Sequence, residues 1–399
     1  MRLWIIGLAP LVTALTIPDS RIPATDSLKD KYIITFNQDI SPDDFNEHID
    51  WVSKLVEDSA IGSSVLGLGI ENTWSDLFQG YSGRFTLDII ELISNSDQIN
   101  TIEAVKVFSL QQTDTISQKD ATWGLASISH TTTGTSDYLY KRKQPTKNGL
   151  WAYVLDTGIY TQHSDFEGRA FLGYNAVKDS PNTDTHGHGT HCAGTIASKT
   201  FGVAKNANIM GVKVFSGDKS TTDVILNGLQ WAVNNITASN RAARSVISLS
   251  VGGAKSNAFN TAVNNAYNSG IFVAVAAGNN GLDASLFSPG SAANAFTVGT
   301  VDKTNTRPSG TNYGKAISIF APGVSITSLG ISGKDATAVM SGTSMAAPHV
   351  AGLALYLMDI EGVQGPAAVG ARIKNLGTKN VVKSAGSGSP NSLAYNGVV

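Results

Sequence analysis

Six apolar runs, at residues 151–155, 209–215, 246–251, 271–277, 295–298 and 316–320, are bounded by Gly, Asn or Pro and show no polar alternation. A strand with one wet face alternates; a run without alternation is buried on both faces, as in a parallel sheet covered by helices. Helical stretches at 223–233 and 258–268 lie between the runs, which predicts a doubly wound α/β domain. With 399 residues, 42% hydrophobic and 15% charged, the chain can bury a large core, and disordered, coiled-coil and collagen-like classes are excluded. No internal repeat is present.

The first quarter of the chain differs. Residues 31–37 alternate as a strand, and Ser41-Pro42-Asp43-Asp44 reads as a helix start, followed by Phe45, Ile49, Val52 and Val56 on one face. Strand-like pieces at 74–85, a short helix at 86–94 and a strand at 101–110 complete a β-α-β-β-α-β order, that of a small ferredoxin-like α+β domain. Residues 111–120 read as an exposed linker. Residues 18–115 hold 6 Lys+Arg and 17 Asp+Glu, a charge of −11, whereas residues 116–399 hold 22 and 14, a charge of +8. Such asymmetry predicts complementary partners within one chain. Before them, Met1-Arg2, an apolar stretch at 3–12 and Thr13-Ala14 read as a secretory signal peptide. The expected division is therefore 1–15 signal peptide, 16–115 small domain and 116–399 α/β domain, with a secreted, extracellular destination. The sequon Asn235-Ile236-Thr237 is a candidate glycan site, and a single cysteine, Cys192, excludes an intramolecular disulfide.

Functional groups of such sheets gather at the carboxyl ends of strands. Asp156 ends the run 151–155 and precedes Thr157-Gly158; alone it is equally a turn residue. Thr185-His-Gly-His-Gly-Thr-His191 packs three histidines into six positions and, by itself, suits a metal site as well as catalysis. Ser344, within Ser341-Gly-Thr-Ser-Met-Ala-Ala-Pro-His349, opens an apolar helix and is either a helix cap or a nucleophile at the positive helix end. Read jointly, the order Asp156, His188, Ser344 on an α/β scaffold is one of the chain orders in which the Ser-His-Asp triad recurs. Serine needs an imidazole to take its proton, and the imidazole needs a carboxylate to fix its tautomer. Asn279, ending the run 271–277 in Ala276-Ala277-Gly278-Asn279, places an amide where an oxyanion donor is required.

These residues resemble the subtilase family, and within it the proteinase K-like enzymes. The matching segments are Val154-Leu-Asp-Thr-Gly-Ile159, His188-Gly-Thr-His-Cys-Ala-Gly194, Ser248-Leu-Ser-Val-Gly-Gly253, Ala276-Ala-Gly-Asn279 and Ser341 to His349, with Trp123-Gly-Leu-Ala-Ser-Ile128 similar to the start of the mature enzyme. The resemblance implies that His188, rather than His186 or His191, is the base and Ser344 the nucleophile. It also implies an endopeptidase of broad specificity acting on protein and peptide substrates. Ser250, Val251 and Gly252 would pair with substrate backbone, and Ala276, Ala277 and Gly278 would wall a pocket for a hydrophobic or aromatic residue before the scissile bond. The acidic domain would be the inhibitory propeptide.

The chain departs from the family in places. Trp151 and Phe296 stand where relatives carry half-cystines, and Ser318 stands where a strong calcium site has an Asp. A neutral hydroxyl cannot supply the charge a hard cation needs, so no metal and no cofactor are expected. Residues 216–222 replace a Gly-rich substrate rim. Two rivals, an inactive binding protein and a basic surface-binding protein using Lys141-Arg-Lys143 and Lys147, fit the intact triad pattern and the lack of interleaved aromatics less well. No nucleic acid or membrane partner is expected, and the protein is read as a monomer.

Overall fold

A computed structural model describes residues 30–38, 40–59, 67–76, 78–106, 115–143 and 149–398. The expected signal peptide, residues 107–110 of the expected strand and residues 111–114 of the expected linker lie outside the described residues. The chain divides into two compact units, Met1–Gln111 and Gln112–Val399.

In the first unit β1 (Lys31–Phe36), α1 (Pro42–Asp58), β2 (Gly69–Trp74), β3 (Gly80–Arg84), α2 (Leu87–Ser94) and β4 (Ile99–Ala104) follow the expected order. The sheet runs β2-β3-β1-β4 with every neighbour antiparallel, the ferredoxin-like arrangement. The Ser41 hydroxyl accepts the Asp44 N–H at 3.1 Å, so α1 is capped where its sequence requires. Tyr32, Ile34 and Phe36 of β1 face Phe45, Val52 and Val56 of α1 and Ile89 and Ile93 of α2. His48, outside the apolar pattern, is buried on this face while Ile49 is only half-buried. Its Nδ1 lies 2.9 Å from Gln98 Oε1 and its Nε2 3.2 Å from the Tyr81 hydroxyl, and these bonds admit a polar ring into the core.

In the second unit β5 (Thr115–Gln118) and β6 (Tyr138–Lys141) pair across α3 (Trp123–Ser129). Residues 115–118 are thus a paired strand rather than part of an exposed linker: Thr115 and Ile116 suit a pleat, and Tyr140 and Lys141 supply the partners. The main sheet contains β7 (Trp151–Asp156), β8 (Ala170–Asn175), β9 (Asn208–Lys213), β10 (Ser245–Leu249), β12 (Phe272–Ala276), β14 (Phe296–Val301), β15 (Ile319–Pro322), β18 (Thr378–Lys379) and β19 (Ser392–Leu393). Their spatial order is β18-β19-β15-β14-β12-β10-β7-β9-β8, and only the β18–β19 pair is antiparallel. Short ribbons join β11 (Gly253–Ala254) to β13 (Phe287–Ser288) and β16 (Ile326–Leu329) to β17 (Thr337–Met340).

Both faces of this sheet are covered, as the unalternating runs require. Ala152 and Val154 of β7 point toward α4 (His188–Ala197), α7 (Thr343–Ile360) and α8 (Pro366–Leu376). Tyr153 and Leu155 point toward α5 (Thr222–Ala238) and α6 (Asn257–Asn268). Helix α7 is buried nearly all round, but no helix among the described residues is long and apolar enough to cross a membrane.

Two histidines of the buried layer are held neutral. His191 Nε2 donates to Ile326 O at 2.9 Å, and His349 Nδ1 donates to Met345 O at 2.8 Å. Burial pushes each imidazole down to about 4. The unfolded chain therefore binds more protons than the folded one between pH 6.5 and about 4. The contribution of these two histidines to stability is complete above pH 6.5 and falls with pH across that window, each unit of depression being worth about 1.4 kcal/mol. Urea midpoints of the Ser344→Ala protein should drop steeply between pH 6.5 and 4; a midpoint flat over that range would contradict the assignment.

Candidate active site

From β7 the chain passes to β8 and β9 on one side and then to β10 on the other, so the strand order reverses beside β7. Crevices form outside the carboxyl ends of strands at such a reversal. Asp156 is the last residue of β7, Ser250 and Val251 follow β10, and Ala277 to Asn279 follow β12. Helices α4 and α7 begin at the same edge with His188 and Thr343.

His188 Nδ1 lies 2.7 Å from Asp156 Oδ1, and Asp156 is 1% exposed. The Thr157 N–H also donates to Oδ1 at 2.8 Å, while the Asp156 carbonyl accepts the N–H groups of Val214 and Phe215. The Asp156 carboxylate raises the imidazole of His188 well above its ordinary value, against the opposing effect of burial. The three clustered histidines do not converge. His188 faces Asp156, His191 turns to Ile326 O, and His186 is exposed, so the metal alternative for this cluster loses its geometry.

Ser344 sits in the first turn of α7. Its hydroxyl donates to Ser250 O at 3.1 Å, and the Ser250 hydroxyl donates back to Ser344 O at 2.8 Å. Cys192 joins the two helices: its buried sulfur lies 3.9 Å from His188 Nδ1 and 3.4 Å from Ser344 O. Burial pushes its thiol up, away from the reactive thiolate.

Asn279 is fixed by its oxygen. Asn279 Oδ1 accepts the N–H and the hydroxyl of Thr343 at 3.0 and 3.1 Å, and Thr343 Oγ1 accepts the Gly278 N–H at 3.1 Å. The amide nitrogen is left as a donor beside Ser344. The loop itself hangs on Asn312, fully buried, which donates to Ala277 O and accepts the N–H groups of Asn280 and Leu282. Neither Thr343 nor Asn312 stands out in the sequence, because their roles are hydrogen bonds to distant backbone.

A cleft of about 330 Å³ opens beside Ser344 and Asn279, walled by Val251, Gly252, Ala254, Ala276, Gly278 and Phe287. Ser250 and Ala277 do not line it. Ser250 is engaged with Ser344 from beneath, and Ala277 packs into a separate core with Val301 and Phe320. Phe287 reaches the wall because β13 pairs with β11, Ala254 lying opposite it. Elsewhere, Ser318 Oγ accepts the Thr297 N–H at 3.2 Å and shares a cleft with Lys315, Lys374 and Lys379. Those ammonium groups and that hydroxyl do not fit a divalent cation. Asn235 is half-buried in α5, and its Oδ1 accepts from the Tyr153 hydroxyl at 2.5 Å and from Arg241 at 3.3 Å. Both bonds fall on Oδ1, whereas a glycan would be joined through Nδ2.

Residues 148–391 match the Subtilase family. The chain belongs to that family. Residues 31–111 match Peptidase inhibitor I9, so this subtilase carries an inhibitory propeptide domain at its N-terminus. It is 43% identical to Alkaline protease 1 of Aspergillus flavus over 98% of this chain and 96% of that protein. It is 44% identical to Subtilisin-like proteinase Mp1 of Magnaporthiopsis poae, over 98% and 97%. The crystal structure of a cold adapted subtilisin-like serine proteinase matches with a TM-score of 0.62 and 36% identity, covering 70% of this chain and all of that one. This subtilase is a serine endopeptidase, made as a zymogen on a mainly parallel, subtilisin-type α/β fold.

The contacts of Cys192 and Thr343 separate a neighbour of the site from a support of it. Cys192→Ala should retain most of kcat, since the buried thiol only packs against His188 and the Ser344 carbonyl. Thr343→Val should lower kcat about tenfold, because Asn279 loses a hydrogen bond of about 1–1.5 kcal/mol. Steady-state kinetics on a peptide anilide decide both; a Cys192→Ala enzyme as inactive as Ser344→Ala would overturn the division.

Proposed function

We propose that Ser344 is the nucleophile, His188 the general base and Asp156 the group that orients His188. Asn279 Nδ2 and the Ser344 N–H then receive the oxyanion. The observation that carries the reading is the 2.7 Å bond from His188 Nδ1 to buried Asp156, which leaves Nε2 to act as a base. For attack the Ser344 hydroxyl leaves Ser250 O and gives its proton to His188 Nε2 as Oγ bonds to the substrate carbonyl carbon. His188 returns that proton to the departing amine, and water then releases the acyl group by the same exchange.

The cleft supports a preference for hydrophobic or aromatic residues before the scissile bond. Its lining combines small residues, Ala254, Ala276 and glycines, with the larger apolar side chains of Val251 and Phe287. Backbone of Ser250, Val251 and Gly252 would add the substrate as a strand, which suits broad specificity. The domain scheme follows: a signal peptide at 1–15, a propeptide at 16–115 that inhibits in cis, and a catalytic domain from 116 onward released to the outside of the cell. The charges of −11 and +8 favour that intramolecular complex and are screened by salt.

Phenylmethylsulfonyl fluoride should label Ser344 and abolish activity. Asn279→Ala should lower kcat by about 10²–10³ with KM little changed, a magnitude established for the oxyanion donor of a subtilisin and carried over to this relative. Because His188 must be neutral and Asp156 raises its pKa, kcat/KM should climb only above the ordinary imidazole value of about 6.5. An acid limb below that value would refute the pairing.

Processing gives a separate check. Ser344→Ala, expressed where no other protease acts, should accumulate as an uncleaved precursor, and purified segment 18–115 should inhibit the processed enzyme with an on-rate that falls as salt rises. Cleavage of the Ser344→Ala precursor at the usual place would rule out self-processing.

A further inference from the structure

Beneath the Asp156–His188 pair lies a second set of charges that the reaction scheme does not use. Lys213 is 0% exposed, an unusual place for an ammonium. It ends β9 directly opposite Asp156 in the β7–β9 register. Its Nζ donates to Thr157 O at 2.6 Å and to Thr183 O at 3.1 Å, so one side chain ties the segment after Asp156 to the segment before α4.

Asp184 is the counterpart. Its Oδ1 accepts the Thr157 hydroxyl and the N–H groups of His186 and Gly187, and its Oδ2 accepts the N–H and hydroxyl of Thr190, all within 2.9 Å. Thr157 Oγ1 in turn accepts the Gly189 N–H at 3.0 Å. The first-turn amides of the helix that begins with His188 are thus capped by Asp184 and Thr157. Burial alone would raise the Asp184 carboxyl, but these donors outweigh it and keep the carboxyl below its ordinary value.

We infer that Lys213, Thr157 and Asp184 form a positioning network that sets both the geometry and the charge balance of the Asp156–His188 pair. This rests on the reading of His188 as the base. Thr157 is the mechanical link, since it bonds to both buried charges. Lys213 and Asp184 act with opposite sign: the ammonium opposes formation of the His188 imidazolium and the carboxylate favours it. The other titratable groups facing His188 are Cys192 and His191 on α4, with His349 of α7 behind His191, and exposed His186. Burial keeps the Cys192 thiol, His191 and His349 uncharged in the working range, so Asp156, Asp184 and Lys213 carry the field.

The test is the acid limb of kcat/KM for the processed enzyme and its Lys213→Met, Lys213→Arg, Asp184→Asn and Thr157→Val variants, at low salt and in 1 M NaCl. Lys213→Met should move the limb to higher pH and Asp184→Asn to lower pH, each by about half a unit. Lys213→Arg should leave it in place. Thr157→Val should lower kcat roughly tenfold without moving the limb or KM. The displacements should persist in 1 M NaCl, because buried charges are poorly screened. If Lys213→Met does not fold, Asp184→Asn and Thr157→Val still separate charge from geometry. Limbs that move in the same direction, or not at all, overturn the inference. A parent enzyme that lacks an acid limb, or is not labelled at Ser344, would overturn the base assignment instead.

Discussion

The bond between Asp156 and His188 exists because helix α4 meets the end of β7 backbone against backbone. A Cβ on Gly189 would stand 2.3 Å from Gly158 O and 3.1 Å from Asp156 Cβ; one on Gly158 would stand 2.6 Å from Thr183 O. Neither position tolerates a side chain, and Gly158 also has φ +101, where other residues are strained. Those two glycines bring a strand end and a helix start close enough for a 2.7 Å contact between side chains 32 positions apart.

The same economy of volume brings in the second helix. On α7, a Cβ on Gly352 would meet Ile196 O of α4 at 3.0 Å, and on α4, a Cβ on Gly194 would meet Ser328 Oγ of β16 at 2.5 Å. Helices this close transmit position directly, since a packed interior has two-sided contacts and little free space. Cys192 occupies the remaining gap between His188 and Ser344, where only a small side chain fits.

Much of this was legible in the sequence, for identifiable reasons. The apolar runs disclosed the covered sheet because burial on both faces leaves a simple compositional trace, and the strands for 151–155 and 271–277 fall where the runs do. Strand β8 left no such trace: it is a sheet edge, with Phe171 42% and Leu172 48% exposed and Gly173 interrupting it. Asp156, His188, Asn279 and Ser344 were recoverable as short motifs at element ends. Phe287, Asn312 and Asp184 were not, because each acts through strand pairing or hydrogen bonds to backbone that no local pattern encodes. Lys213 had a signal of a kind, a single charge inside an unalternating apolar run, and the structure explains it by the carbonyl oxygens that receive its ammonium.

The charges around the site also carry a direction. Asp156 and Asp184 contribute two negative charges and Lys213 one positive, so with His188 neutral the buried set holds a net negative charge of one. In the proposed mechanism, proton transfer from Ser344 would turn His188 into imidazolium and bring that set to neutrality as the oxyanion forms at Asn279. In a water-poor interior an uncompensated charge is costly, and the cost is present in the resting enzyme and relieved on the way to the tetrahedral intermediate. The oxyanion would be met separately in that mechanism, by the amide of Asn279, whose oxygen is already committed to Thr343, and by the first turn of α7. Placing the two compensations on different elements lets each be fixed by folding before substrate arrives, so neither has to reorganise during the reaction.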